Sequence, residues 1–187
     1  SLDTLNQIQR DHYEGTEFDL TKGLAAGPFG TPDRWATSGA MGSWERAISI
    51  FRAAYTWTSQ SRSWLPDMIG GVLWFGADTP HATVYVPIYC GATESPASCA
   101  KGNPTQFDST AAWWVYDFVE NFANLKYSYM IEDIKAKQAE IEGREYRMQT
   151  AVEAAAVKMY EQDPELARTF ITNYTVQNAN DVVEEYW

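Results

Sequence analysis

Residues 70–89 read GGVLWFGADTPHATVYVPIY. Two runs rich in β-branched and aromatic side chains, 70–76 and 82–89, flank Ala77-Asp78-Thr79-Pro80-His81, whose residue types favour a turn. The spacing predicts a β-hairpin. Both runs are apolar on both faces, so the strands should be covered on each side by other layers. Pro87 lacks a backbone donor and places its strand at a sheet edge or a strand end.

Upstream, residues 46–58 (RAISIFRAAYTWT) have strand composition and predict a third strand. Further back, Gly23 to Trp35 is rich in Gly and Pro and predicts an ordered loop whose Leu24, Phe29 and Trp35 need cover. Downstream the composition changes. Eleven of the 12 glycines and seven of the 8 prolines precede residue 105, so the remainder should be helical. Asp108 or Ser109 is placed to cap a helix from Ala111 to Leu125, with Trp114, Phe118 and Phe122 on one face. A long helix follows, with apolar residues at Tyr127, Ile131, Ile134, Ile141, Met148, Val152, Ala155 and Met159. Gln138 and Glu145 interrupt this seam, and Gly143 is a candidate kink. Asp163 caps a last helix that starts at Pro164. The whole reads as one α+β domain: a loop-rich lead 1–45, strands in 46–90, a loop 91–107 and a helical layer 108–187.

The 187 residues carry 25 acidic and 14 Lys or Arg side chains, a net charge of −11. A surface this acidic repels phosphate backbones and argues against a nucleic-acid partner. No apolar run is long enough for a membrane span. The N-terminus, SLDTLNQIQR, has no signal-peptide pattern, although a precursor could carry one upstream.

Candidate chemistry is sparse. Cys90 and Cys99 have no neighbouring His in sequence; at their spacing a small disulfide loop and two free thiols are both open. Ser1 could serve as an N-terminal nucleophile through its own α-amine, yet the residues behind it look like a helix or loop lead. His12, beside Asp11 and Glu14, lacks metal-ligand spacing, and the cluster Asp11, Glu14, Glu17, Asp19 lacks that of an EF-hand, so no metal or other cofactor is expected. The arginines are more informative. Arg46 and Arg52 flank an apolar run, and Arg62 stands just before Trp64. An arginine in such a setting is either a snorkelling surface residue or a buried, paired donor, and a buried guanidinium could bind a substrate carboxylate bidentately or stabilise an oxyanion. Asn173-Tyr174-Thr175 is a glycosylation sequon.

Long, irregular runs carry a resemblance: RDHYEGTEFDLTKGLAAGPFGTPDRW (10–35), ERAISIFRAAY (45–55), SQSRSWLPDMIGGVLWFGADTPHATVYVPIYCGATESP (59–96), FDSTAAWWVYDFVENFANLKYSYMIEDI (107–134) and FITNYTVQNANDVVEEYW (170–187). Together they resemble the dipeptidase family of N-terminal-nucleophile cysteine hydrolases, whose relatives include secernins and bacterial dipeptidase A. The resemblance implies a four-layer αββα sandwich and hydrolysis of dipeptide amide bonds. The attacking group would be an N-terminal Cys whose α-amine acts as base. Nothing in this sequence matches the family's first strand, so the 187 residues resemble a C-terminal half, truncated at both ends, with the nucleophile elsewhere. The partners implied are the N-terminal segment of the same protein, a dipeptide substrate and, in a homo-oligomer, further copies of the chain. By its pattern Arg46 matches the supporting active-site arginine of related amidases; Arg62, Arg52 and Trp64 are candidates for substrate binding. A non-catalytic, secernin-like scaffold on the same fold is the alternative, and a coiled-coil partner binder through 126–162 is a weaker one. A Cys90–Cys99 disulfide, the Asn173 sequon and a pI near 4.5 would suit a lysosomal, vesicular or secreted location, with the cytoplasm as alternative.

Overall fold

The computed structural model describes residues 1–34 and 45–187. Three strands, β1 (Tyr55–Ser61), β2 (Gly71–Ala77) and β3 (Val86–Tyr89), form an antiparallel sheet in the order β1-β2-β3. The expected hairpin is present. Trp74 pairs with Pro87 and Val72 with Tyr89. Pro87 lies in β3, at an edge of this sheet, where a missing donor is tolerated. The strand expected at 82–89 is shorter because side chains take the backbone groups of its first half: Arg10 and Gln138 donate to Thr83 O, and Tyr85 N–H donates to Glu142.

The strand expected over 46–58 instead starts at Tyr55. Its first half is irregular because the lead segment and a local turn satisfy its backbone. Tyr13 Oη donates to Arg46 O at 2.5 Å, Ser49 N–H donates to Asp11 O, and Ala53 N–H closes a turn onto Ile50 O.

Five α-helices and a single 3-10 turn (Leu24–Ala26) complete the described residues: α1 (Leu2–Gln9), the short α2 (Asp67–Gly70), α3 (Ala112–Ala123), α4 (Tyr127–Gln162) and α5 (Pro164–Tyr186). Ser1 caps α1 through its hydroxyl, so the side chain considered as a nucleophile holds a helix end instead. Asp108 caps the turn before α3 by accepting from Thr110, and Ala111 stands at the cap position. Asp163 caps α5 as expected, accepting from Glu165 N–H at 2.9 Å.

Gly143 does not break α4, which runs unbroken for 36 residues. Its middle carries a polar stripe at 138, 142, 145, 149 and 153, a spacing that keeps one helical face inward. Gln138 donates to His81 O and Thr83 O; Glu142 accepts from Arg10 and Tyr85 N–H; Glu145 accepts from Asn178; Gln149 donates to Gln60; Glu153 accepts from Arg62 and Tyr89. The polar interruptions of the seam are therefore its connecting points.

The two faces of the sheet differ. Directly paired residues share a face, so Thr56, Thr58, Val72, Trp74 and Tyr89 lie together. All are buried, under α1 through Asn6 and Gln9 and under α4 through Tyr146 and Val152. The opposite face carries Tyr55, Trp57, Leu73, Phe75 and Ile88. There α3 and the end of α5 cover β3 and part of β2, at Val86, Ala77, Phe75, Val115 and Val182, and leave the β1 side open. Tyr55 is 60% exposed and Trp57 51%. Leu24 is also fully exposed rather than covered, whereas Phe29 packs edge-on against Tyr129. Trp35 lies outside the described residues.

Cys90 and Cys99 are free thiols, not a disulfide. The loop between them is stretched along α5: Thr93 N–H donates to Thr172 Oγ1 and Ser98 N–H to Asn180 Oδ1. Eight helical residues separate those anchors, about 12 Å, so the middle of the loop is extended rather than folded into a tight ring.

Candidate functional site

The segment 45–54 is held where β1 begins and β2 ends. Besides its bonds to Asp11 and Tyr13, it is tied to the strand end by Asp78 N–H donating to Ala54 O at 2.9 Å. This places Arg46, Ser49 and Arg52 around a cavity of about 270 Å³, with Asp33 and Leu20 on the other side.

Arg46 and Arg52 are exposed, and neither guanidinium has an ion-pair partner among the described residues. Arg52 lies 5.7 Å from the centre of the Phe51 ring. The contrast with other arginines is informative. Arg10, Arg62, Arg144 and Arg168 all meet carboxylates, and Arg34 donates to Thr31 O, Asp33 O and Leu20 O; Arg147, in α4 and outside the cavity lining, has no ion-pair partner among the described residues either. Arg46 and Arg52 thus put two guanidiniums, neither with an ion-pair partner among the described residues, on one cavity that the carboxylates of Asp33 and Glu45 also line; guanidiniums pair with carboxylates and other planar anions.

Two buried groups support the cavity from beneath. Asp33 joins Glu120 through Asn124, whose Nδ2 donates to Asp33 Oδ2 and to Glu120 Oε1, each at 2.7 Å. Burial raises the Asp33 carboxyl. Burial, together with the charges of Asp33 and Asp78, pushes Glu120 up to about 8. Burial also pushes Asp78 up to about 7. Ser49 and His81 form the second group, with Oγ and Nδ1 3.1 Å apart. The His81 ring meets His12 and Tyr127 edge-on at 4.9 and 5.7 Å. Burial, then the charge of His12, pushes His81 down to about 3, so the ring is neutral.

Sequence reasoning singled out Arg46 and Arg52 but not Asp33, Ser49, His81 or Glu120, which are distant in sequence from one another. The only available signal was their presence inside the quoted runs. The other candidates lie elsewhere. Arg62 follows the far end of β1, about 20 Å away at some 3.3 Å per residue. Its guanidinium donates to Glu153 at 2.5 Å and to Ile69 O and Gly70 O. Trp64 is 77% exposed in the next turn. Asn173 is exposed within α5, not in a loop, and Thr175 is buried with its hydroxyl accepting from Tyr89 N–H. Cys99 is exposed, yet the desolvation of its thiol by neighbouring groups raises it, away from the thiolate form. The acidic cluster of the lead caps turns: Asp11 accepts from Tyr13 N–H, Glu14 from His12 N–H and Asp19 from Gly15 and Thr21 N–H. Among the described residues no group of three or more His, Cys, Asp or Glu could hold a metal ion, and no helix is long and apolar enough to cross a membrane.

The model of peptidase family C69 matches residues 1–140, which include the lead segment, the cavity and the hairpin. The chain belongs to peptidase family C69. The resemblance to dipeptidase A and the secernins is thereby borne out, and so is the α+β class. No curated protein matches the chain. Family C69 is a peptidase family, and Arg46 and Arg52 lie within the match.

Proposed function

We propose that this chain forms the substrate-carboxylate side of a cysteine dipeptidase. The nucleophile is an N-terminal Cys contributed from outside these 187 residues. Its thiolate attacks the scissile carbonyl, its α-amine takes and returns the proton, and the acyl-enzyme is released by water. In this reading Arg46 binds the terminal carboxylate of the dipeptide, assisted by Arg52, and so fixes the amide bond for attack. Two guanidiniums on one cavity, neither with an ion-pair partner among the described residues, carry the reading.

Two further observations support it. Neither cysteine of the chain lines the cavity. The half-uncovered sheet face at Tyr55, Trp57 and Phe75 is apolar and fits a second sheet packed against it, as in an αββα sandwich. The premise of a disulfide in favour of an oxidising compartment is gone, since both thiols are free.

In the full-length enzyme, Arg46→Ala should lower kcat/KM for dipeptides by about 10- to 100-fold, the value of a charge-assisted hydrogen bond. Replacing the N-terminal Cys with Ala should abolish turnover. Dipeptide hydrolysis that survives the Cys replacement would sink the mechanism. A kcat/KM within twofold of wild type for Arg46→Ala would remove the arginine from it.

A further inference from the structure

Ser49 is the group whose placement the reading above does not use. It is 2% exposed, lines the same cavity as Arg46 and Arg52, and is fixed by its backbone bond to Asp11 O at 3.1 Å. Its hydroxyl lies 3.1 Å from His81 Nδ1. His81 is itself fixed: it is 3% exposed, sits in the turn closed by Thr83 N–H on Thr79 O, and its carbonyl accepts from Gln138 Nε2 at 2.9 Å.

The direction of the Ser49–His81 bond follows from what the ring lacks. His81 Nε2 is buried and has no hydrogen-bond partner among the described residues. A neutral imidazole carries one N–H. On Nε2 that hydrogen would be a buried orphan donor, the rarest kind of unsatisfied group. On Nδ1 it is donated to Ser49 Oγ, and only a lone pair is left without a partner. The Nδ1–H tautomer is therefore favoured, and Ser49 Oγ is the acceptor. Its own hydrogen has no other acceptor among the hydrogen bonds of the described residues and is free to point into the cavity. The same tautomer excludes a Ser–His nucleophile. The ring nitrogen facing the hydroxyl already holds a proton, so it cannot take another from Ser49.

We propose that Ser49, with His81 holding its hydroxyl as a donor, is a third ligand of the substrate's terminal carboxylate beside Arg46 and Arg52. The three together select small peptides that end in a free carboxylate over the same peptides capped as amides. The proposal rests on the carboxylate reading of the cavity. Ser49 contacts the substrate; His81 is a positioning residue. A hydroxyl donated to a carboxylate is short and strong. An amide in the same place presents an NH2 group to two guanidiniums, loses the charge and keeps only one acceptor oxygen.

The test is steady-state kinetics of the full-length enzyme on a dipeptide and its C-terminal amide. The preference is read as the ratio of KM values, or of inhibition constants if the amide is not cleaved. Ser49→Ala should raise KM for the free acid about tenfold, with a much smaller effect on kcat, and lower the preference by the same factor. His81→Leu should reproduce that loss, and His81→Asn, whose side-chain N–H can replace Nδ1–H, should restore most of the preference. An unchanged preference in Ser49→Ala overturns the proposal even if the variant is slower, because a merely structural role would move both substrates together. So does a His81→Asn enzyme no better than His81→Leu. The underlying reading fails separately: Arg46→Ala would then leave the preference intact.

Discussion

Residues 1–34 and 45–54 meet the rest of the molecule mainly through polar groups, whereas residues 55–187 meet one another mainly through apolar ones. On the first side, Arg10 donates to Glu142, Pro80 O and Thr83 O, Gln9 to Trp57 O, Asn6 to Tyr146, and Ser49 is paired with His81. On the second, Trp74, Tyr89, Val152 and Ile171 fill one core, and Val84, Val115, Ile141 and Val182 another. Hydrophobic packing is non-directional and tolerates small displacements. Hydrogen bonds and ion pairs fix an orientation. The cavity is built from the polar side, where the placement of a guanidinium matters most.

Breaking each kind of contact should therefore have different effects. Glu142→Ala leaves Arg10 buried without its partner, orphans the Tyr85 N–H, and should cost about 3–5 kcal/mol. In the full-length enzyme it should also lose activity at temperatures where the fold persists, because the lead segment shifts. Ile171→Ala should cost a similar amount, about 2–5 kcal/mol, yet retain near-normal kcat/KM while folded. Denaturant unfolding and kinetics at 10 °C on the same samples decide it; if activity follows the folded fraction equally in both, the contrast is empty.

A more gradual effect, spread over several pH units, comes from protons. Glu120 titrates near 4.3 in the unfolded chain and about 8 when folded, so the native state binds more protons between those values. Its contribution to stability is complete below about pH 4 and is lost as pH rises through 8. Asp78, raised to about 7, acts in the same direction. Thermal melts should show Tm falling from pH 5.5 to 8.5, and Glu120→Gln should flatten that slope. An unchanged slope in the variant would place the responsible group elsewhere.

The smallest change expected is a gain. Gly143→Ala in α4 should stabilise by about 1 kcal/mol, a rise of about 2–4 °C for a chain of this size. The new Cβ would meet only Arg147 Nη1, at 3.3 Å, the movable end of a long side chain. A lower Tm would mean that the arginine cannot move aside.

What could be read from the sequence follows the same division. The hairpin at 70–89 and the two long helices were legible, because apolar periodicity and capping residues are local signals. The composition of 46–54 predicts a strand that the structure does not form there, since composition records the side chains of Ala47 to Ala54 but not the distant Asp11 and Tyr13 that take up its backbone bonds. The cysteines were read as a possible pair because nine positions permit a loop, and nothing local reveals that Thr93 and Ser98 are pinned two helical turns apart. At the site, Arg46 and Arg52 stood out as cations in apolar surroundings. Ser49 and His81 are 32 residues apart, and Asp33 and Asn124 are 91 apart. No spacing rule joins such pairs.

Helix α4 acts as a register bar. Its five inward polar residues each engage a different part of the molecule: the turn after β2, the lead, α5, and both edge strands. Each residue along the rod turns it by about 100°. Deleting or inserting one residue near its midpoint would keep the rod helical but rotate one half out of phase with the other, releasing either the lead or the far end of the sheet. Length in this helix is thus under a stricter constraint than composition, and substitutions along its outer side should be tolerated far better than any change in residue count.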